Sequence, residues 1–204
     1  MSSSPSPERT IPHTANLRYQ PLKLLGDGKD GDVVLAVPHS GIQNLGSCIA
    51  LKILKGNNTT SVPRSRLRRL ENMQNNENYL IAAVCDYAEI DHPEGHCMSY
   101  IPGYSIEQLL DKTYFEHGMP PTLVFHVLAE LVRVQDHLRT NNLIHTDFGA
   151  GGNVILSNKD NDAWPSVTLV DFSGILAYDQ RKEIRHVVQL IARITKFVET
   201  IPEH

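Results

Sequence analysis

At 204 residues with 41% apolar side chains, the chain is long enough for one domain or two closely packed lobes and too apolar for a disordered polymer. Its net charge of −4 excludes the strongly basic footprint of a nucleic-acid binder, so no direct nucleic-acid partner is expected. The three cysteines, Cys48, Cys85 and Cys97, are isolated, which excludes a CxxC zinc site or disulfide framework and points to a reducing compartment, cytoplasm or nucleus. No segment has the shape of a signal peptide or the length of an apolar membrane span, so no membrane partner is expected.

The elements follow in order. Residues 1–16 are rich in Ser and Pro and read as a disordered tail; its Ser4-Pro5 and Ser6-Pro7 dipeptides are common in such tails. From Tyr19 to Leu54, short β-rich runs separated by Gly, Asn and Ser loops predict an antiparallel meander. A charged helix is expected from residue 64 to about 76, with Arg64, Arg66, Arg68 and Arg69 on a solvated face. The segments YLIAAVCDYAEI and HCMSYI predict two more strands around the turn DHPEG. After Pro102 the pattern turns helical. Ser105 is the expected N-cap of a short helix. Leu123, Val127, Leu128, Leu131, Val134 and Leu138 recur at helical spacing and predict the main buried helix. Short strands follow, and KEIRHVVQLIARITKFVET predicts a closing amphipathic helix. The expected division is a β-rich lobe over residues 17–101 and a helical lobe over 102–204, with a cleft between them for a ligand.

Four patterns carry chemistry. Gly26, Gly28 and Gly31 lie between two predicted strands, where missing Cβ atoms let backbone N–H groups approach phosphates. Because the turn enters a strand rather than a helix, the dinucleotide-fold version of the motif is disfavoured. Lys52 interrupts an apolar strand; it is either an edge lysine reaching water or an ammonium aimed at phosphate oxygens. Glu71, or alternatively Glu77, could pair with it. In the loop after Leu143-Ile144-His145, Asp147 can accept a proton from an attacking hydroxyl, and the Asn153 amide oxygen can bind a metal. Asp171 ends an apolar strand, a position that suits Mg²⁺ or a plain strand-end turn.

Taken in this order, residues 19–176 resemble the protein-kinase-like superfamily: glycine-rich loop, strand lysine, helix glutamate, His-x-Asp loop with asparagine, and Asp-Phe-Gly-type aspartate. His145-Thr146-Asp147 is similar to the catalytic loops of the SR-protein kinases and related fungal-type sequences. The resemblance implies an α+β fold of two lobes, with an antiparallel sheet and one helix in the first and a reduced, mainly helical second lobe. It implies ATP and Mg²⁺ as cofactors. Gly26, Gly28 and Gly31 would cover the phosphates, Val33 and Ala50 would contact adenine, and Lys52 held by Glu71 would bind phosphate. Met98 falls at the gatekeeper position, before a hinge whose Tyr100 and Ile101 backbone groups meet the adenine edge. Asp147 would be the catalytic carboxylate, and Asn153 and Asp171 would hold the metal.

Four departures qualify that implication. The Asp147–Asn153 interval is one residue longer than the family spacing, and Gly149 replaces the lysine expected two residues after Asp147. Ser173 stands where glycine would permit a positive φ. Asp27, Asp30 and Asp32 place carboxylates in the phosphate loop. About thirty residues follow Ser173, without the activation segment and helices that hold a peptide substrate. The expected activity is therefore that of a minimal kinase-like phosphotransferase acting on an unidentified protein or small-molecule hydroxyl. The alternative is a pseudokinase serving as a nucleotide-binding or scaffold module.

Overall fold

The computed structural model describes residues 18–28, 31–39, 48–54, 63–74, 81–87, 95–114, 119–149, 151–158 and 164–198. The polar tail over 1–16, Asp30 of the glycine-rich loop and Glu77 lie outside the described residues. Residues Met1–Ser61 and Val84–Tyr100 form one unit, and Val62–Ala83 with Ile101–His204 form a second. The segment Val62–Ala83, expected in the first lobe, thus groups with the second unit. Its tie is strand-like: Ile81 bridges Leu169 in parallel, and the Ala82 N–H donates to the Leu169 carbonyl at 2.9 Å.

In the first unit the alternating runs become β1 (Tyr19–Asp27), β2 (Gly31–Pro38), β3 (Ile49–Leu54), β4 (Val84–Tyr87) and β5 (Gly95–Ser99). All pairings are antiparallel, in the order β1-β2-β3-β5-β4, so β5 pairs with β3 and β4 takes the edge. Side chains alternate between faces along each strand. One face gathers Tyr19, Ala36, Ile49, Leu51 and Cys97 into an apolar cluster, with Ile53 and Cys85 packed against it.

The second unit begins with α1 (Arg64–Gln74), which buries Leu67 and Leu70 and exposes Arg68 and Arg69. Arg64 and Arg66 are half-buried, and desolvation lowers the Arg66 guanidinium pKa. Next come β6 (Tyr104–Ser105) and α2 (Ile106–Lys112). Ser105 caps α2 as expected: its Oγ accepts from the Gln108 N–H at 3.1 Å, and Gln108 Oε1 accepts from the Ser105 N–H at 3.0 Å.

α3 (Pro121–Thr140) buries Val124, Val127, Leu131, Val134, Gln135 and Leu138. Leu123 and Leu128, expected in that stripe, are only half-buried. The buried positions recur at alternating three- and four-residue steps, and 123 and 128 sit on the shoulders of that seam. The chain continues through β7 (Leu143–His145), β8 (Val154–Ser157), β9 (Ser166–Leu169), one 3-10 turn at Phe172–Gly174, and β10 (Ile175–Ala177). β6, β8 and β9 form one small sheet, and β7 pairs with β10. The closing helix α4 (Gln180–Val198) is capped by Asp179, whose Oδ1 accepts from the Arg181 and Lys182 N–H groups at 3.0 and 3.3 Å.

Candidate functional site

Strand register places most first-unit candidates on one side of the sheet. Residues paired across antiparallel strands share a face. Gly26 pairs with Val33, Val33 with Lys52, and Ala50 with Met98. These five, together with Gly31 two residues before Val33, occupy the face opposite the apolar cluster of Ile49 and Leu51. Lys52 lies on the third of five strands and is 3% exposed. The edge-lysine reading is thereby excluded, since an ammonium so placed must serve an internal partner or a ligand. Glu71, on α1, is exposed and belongs to the second unit. Tyr100 closes the first unit and Ile101 opens the second; both are half-buried.

The glycines of the loop have different physical reasons. A Cβ at Gly31 would collide with the Ile53 carbonyl oxygen, so strand packing alone demands glycine there. The Gly28 N–H donates to the Gly31 carbonyl at 3.0 Å and narrows the hairpin. Around Gly26 nothing lies within 4 Å of where a Cβ would stand. Gly26 is therefore the position where no fold contact accounts for a missing side chain.

The second-unit candidates meet through loops. His145 is fully buried, and its Nε2 lies 3.1 Å from the Val170 carbonyl and 2.8 Å from the Asp171 carbonyl. Its Nδ1 accepts the Asp147 N–H at 3.1 Å. Carbonyls on one side and an N–H on the other allow only the neutral ring with its proton on Nε2. Burial lowers the His145 pKa, against the opposing pull of those carbonyls and of the Asp171 and Asp147 carboxylates.

Asn153 secures the other side of Asp147. Its Nδ2 donates to the Asp147 carbonyl at 2.6 Å and to Oδ2 at 3.0 Å. The Asn153 carbonyl accepts the Val170 N–H at 2.9 Å, which ties the asparagine to the strand end before Asp171. Asp147, Asn153 and Asp171 are thus brought together by one histidine and one asparagine.

Within this loop Gly151 takes a left-handed φ of 79°, which glycine adopts without strain. At Gly149, where lysine was expected, a Cβ would stand 3.1 Å from Gln189 Cβ on α4. The same helix sets the His186 ring 6.0 Å from the Phe148 ring, so α4 packs directly on this loop.

The concern over Ser173 is corrected. Ser173 is not among the positive-φ residues; the left-handed residue is Asp171, at φ 67°. The glycine that packing requires is Gly174, where a Cβ would lie 2.9 Å from Asp147 Cβ and 3.0 Å from His145 Cε1. Two contributors went unread in the sequence. Thr146 donates through N–H and Oγ to the Gly174 carbonyl at 2.7 and 2.9 Å. Ser173 donates through N–H and Oγ to Asp171 Oδ1 at 3.1 and 2.7 Å. A hydroxyl one or two residues from a motif carboxylate was the available signal.

An antiparallel sheet with a buried central lysine, and a unit holding a His-x-Asp loop against a strand-end aspartate, define a protein-kinase domain. Residues 19–189 match the family described as protein tyrosine and serine/threonine kinase, and the chain belongs to that family. Among solved structures it is similar to the PknI kinase domain of Mycobacterium tuberculosis, at 24% identity and TM-score 0.58, over 76% of this chain and 60% of that one. The C20A_R136A double mutant of the same domain gives 24% identity and TM-score 0.59, over 76% of this chain and 58% of that one. These likenesses concern the fold, and the chain spans about three-fifths of the length of those kinase domains. No curated protein matches the chain.

Proposed function

We propose that the chain is a minimal, atypical phosphotransferase that transfers the γ-phosphate of Mg-ATP to a hydroxyl on a protein or small molecule. The observation that carries this reading is the double tether on Asp147, by His145 Nδ1 at its N–H and by Asn153 Nδ2 at its carbonyl and Oδ2. A carboxylate held this way can orient an attacking hydroxyl and accept its proton, and phosphoryl transfer depends mainly on such positioning.

The donor set fits a hard divalent cation. Asn153 commits its Nδ2 to Asp147, and its amide oxygen would be the neutral oxygen ligand. The Asp171 carboxylate, one peptide from the strand residue that bonds Asn153, supplies an anionic one. When bound, Mg²⁺ neutralises phosphate charge. On its face of the first unit's sheet, the Lys52 ammonium would hold phosphate oxygens. The backbone of Gly26 and Gly28 would lie over the phosphates, with the Gly28 N–H kept by the Gly31 carbonyl, and Gly31 keeps the hairpin close to β3. Val33, Ala50 and Met98 offer apolar surface to adenine, and backbone groups of Tyr100 and Ile101 would read its edge.

A second reading, a nucleotide-binding module without turnover, is favoured by one observation: Gln189 Cβ and Oε1 each lie 3.1 Å from where a Cβ at position 149 would stand. The cation of the kinase catalytic loop is missing there, and α4 leaves it little room.

Mg-ATP thermal shifts and ATP turnover on wild type, Lys52→Ala and Asp147→Asn separate the two. A ligand at 100 times its Kd adds about 2.7 kcal/mol of stability. A wild-type shift that Lys52→Ala loses, with turnover that Asp147→Asn loses, supports the enzyme. A shift without turnover supports the module. No shift in wild type overturns both.

A further inference from the structure

Helices α3 and α4 leave a groove of about 420 Å³ between them. Val132 and Gln135 line it from α3, and Ile184, Val187 and Val188 line it from α4. Val132, Ile184 and Val188 are each more than half exposed, an arrangement that clusters aliphatic surface against water. On α4 this stripe lies across the helix from His186 and Gln189, which meet the Asp147 loop, so the nucleotide site does not use it. Gln135 sets the groove apart from a plain apolar seam. It is 4% exposed, and among the described residues neither its Nε2 nor its Oε1 has a hydrogen-bond partner. A carboxamide carries two donors and an acceptor oxygen, and burying it unpaired costs the fold stability.

We propose that this groove docks a short, extended, acidic segment of a partner polypeptide. Its aliphatic side chains would fill the groove, one of its backbone amides would pair with Gln135, and its carboxylates would meet Arg181 and Arg185. An extended segment has free N–H and C=O groups to match a carboxamide, whereas a helix has spent its own. A purely aliphatic ligand would leave Gln135 unpaired. Charge selects the sign of the partner. On α3, Arg133 pairs with Glu130 at 2.7 Å and Arg139 pairs with Asp136, so that wall is balanced. On α4, the exposed Arg181 and Arg185 stand three residues before Ile184 and Val188, beside the apolar stripe. The rim is thus basic on a chain whose net charge is −4. A second copy docked face to face would bring the same two arginines to the seam, where like charges oppose each other, while an acidic segment is attracted.

The test uses the full chain and a displayed library of random short peptides, selected on wild type and depleted on Val188→Asp. Enriched peptides should combine Leu, Ile or Val with Asp or Glu. One of them, labelled and read by fluorescence anisotropy, should bind Gln135→Met about tenfold more weakly, the effect of losing its hydrogen bonds. Its affinity for wild type should fall as salt rises, and Arg185→Gln should blunt that dependence. Without peptide, Gln135→Met should melt about 2–4 °C higher than wild type, because an unpaired buried carboxamide is gone. A gain in stability joined to a loss of binding is the signature of a docking residue. A lower melting temperature in Gln135→Met would show that the carboxamide serves the fold, and overturns the proposal. So does a selection that enriches nothing over Val188→Asp, or that enriches basic peptides. Sedimentation that finds a wild-type dimer dissolved by Val188→Asp would give the groove to a second copy, and also overturns it. If Val188→Asp does not fold, Ile184→Asp takes its place on the same exposed stripe.

Discussion

The two units organise their chemistry by different means. In the first, Gly26, Val33, Ala50, Lys52 and Met98 reach one face because strand register puts them there, and no side-chain bond is needed to sort them. In the second, Asp147, Asn153 and Asp171 sit on loops and depend on His145, Asn153 and Ser173 to hold them. Backbone ladders tolerate side-chain change, whereas a loop held by four or five polar contacts does not. Single substitutions should therefore act mainly on local ligand contacts in the first unit and on whole-site geometry in the second.

The largest expected effect tests that contrast directly. Asn153→Ala removes both bonds to Asp147 and the proposed amide oxygen ligand. Turnover should fall by about 10²–10³-fold, the range for losing one preorganised polar group. Nucleotide binding measured with EDTA, which removes the metal-mediated contacts of Asn153 and Asp171, should stay within about twofold. Parallel loss of both would show that the units do not divide the labour.

Two glycine substitutions sharpen the comparison within the first unit. Gly31→Ala drives a Cβ into the Ile53 carbonyl and should cost roughly 2–3 kcal/mol, as overpacking against backbone does. Gly26→Ala meets open space and should change stability by less than about 1 kcal/mol, while weakening Mg-ATP binding. Thermal melts with and without nucleotide read both. Equal destabilisation by the two would mean that the loop's glycines serve only the hairpin.

What could be read from the sequence follows the same divide. The strands around Lys52, the N-cap at Ser105 and the helical stripe of α3 are periodic or local signals, and each appears in the structure within a few residues. The Leu123 and Leu128 misplacement is a matter of seam width. By contrast, the tautomer of His145, the grip of Ser173 on Asp171 and the packing of α4 on Gly149 join residues roughly 2 to 40 positions apart. Periodicity carries no information about such contacts. The grouping of Val62–Ala83 with the second unit was illegible for a similar reason: its ties include a parallel bridge from Ile81 to Leu169, far along the chain.

The buried histidine yields a pH dependence of intermediate size. The folded-state pKa of His145 lies below its ordinary value because burial penalises the charged ring. Below the ordinary histidine pKa the unfolded chain takes up a proton that the folded chain refuses, so stability is lost as pH falls. His186 is lowered too, first by burial and then by Arg185, with Asp147 opposing, and acts with the same sign. The melting temperature should drop between pH 7.5 and pH 5, and His145→Gln should flatten that slope at the cost of a lower plateau. An unchanged slope would place the acid sensitivity elsewhere in the chain.

The smallest effect concerns charge in the glycine-rich hairpin. Asp27 and Asp32 are directly paired across β1 and β2. Like charges in that relation repel, typically by a few tenths of a kcal/mol, and the same charges oppose an approaching triphosphate. Asp27→Asn halves that local charge without changing side-chain shape. It should raise stability by about 0.3 kcal/mol and tighten Mg-ATP binding by about twofold to fivefold at low salt. Because Asp27 is solvent-exposed, added salt should erase most of the gain, with a Debye length near 10 Å at 0.1 M. Affinity measured at two ionic strengths checks this. A gain that persists in high salt would mean that Asp27 acts through hairpin conformation rather than through its charge. The first unit's loop would then share with the second a dependence on specific side-chain contacts.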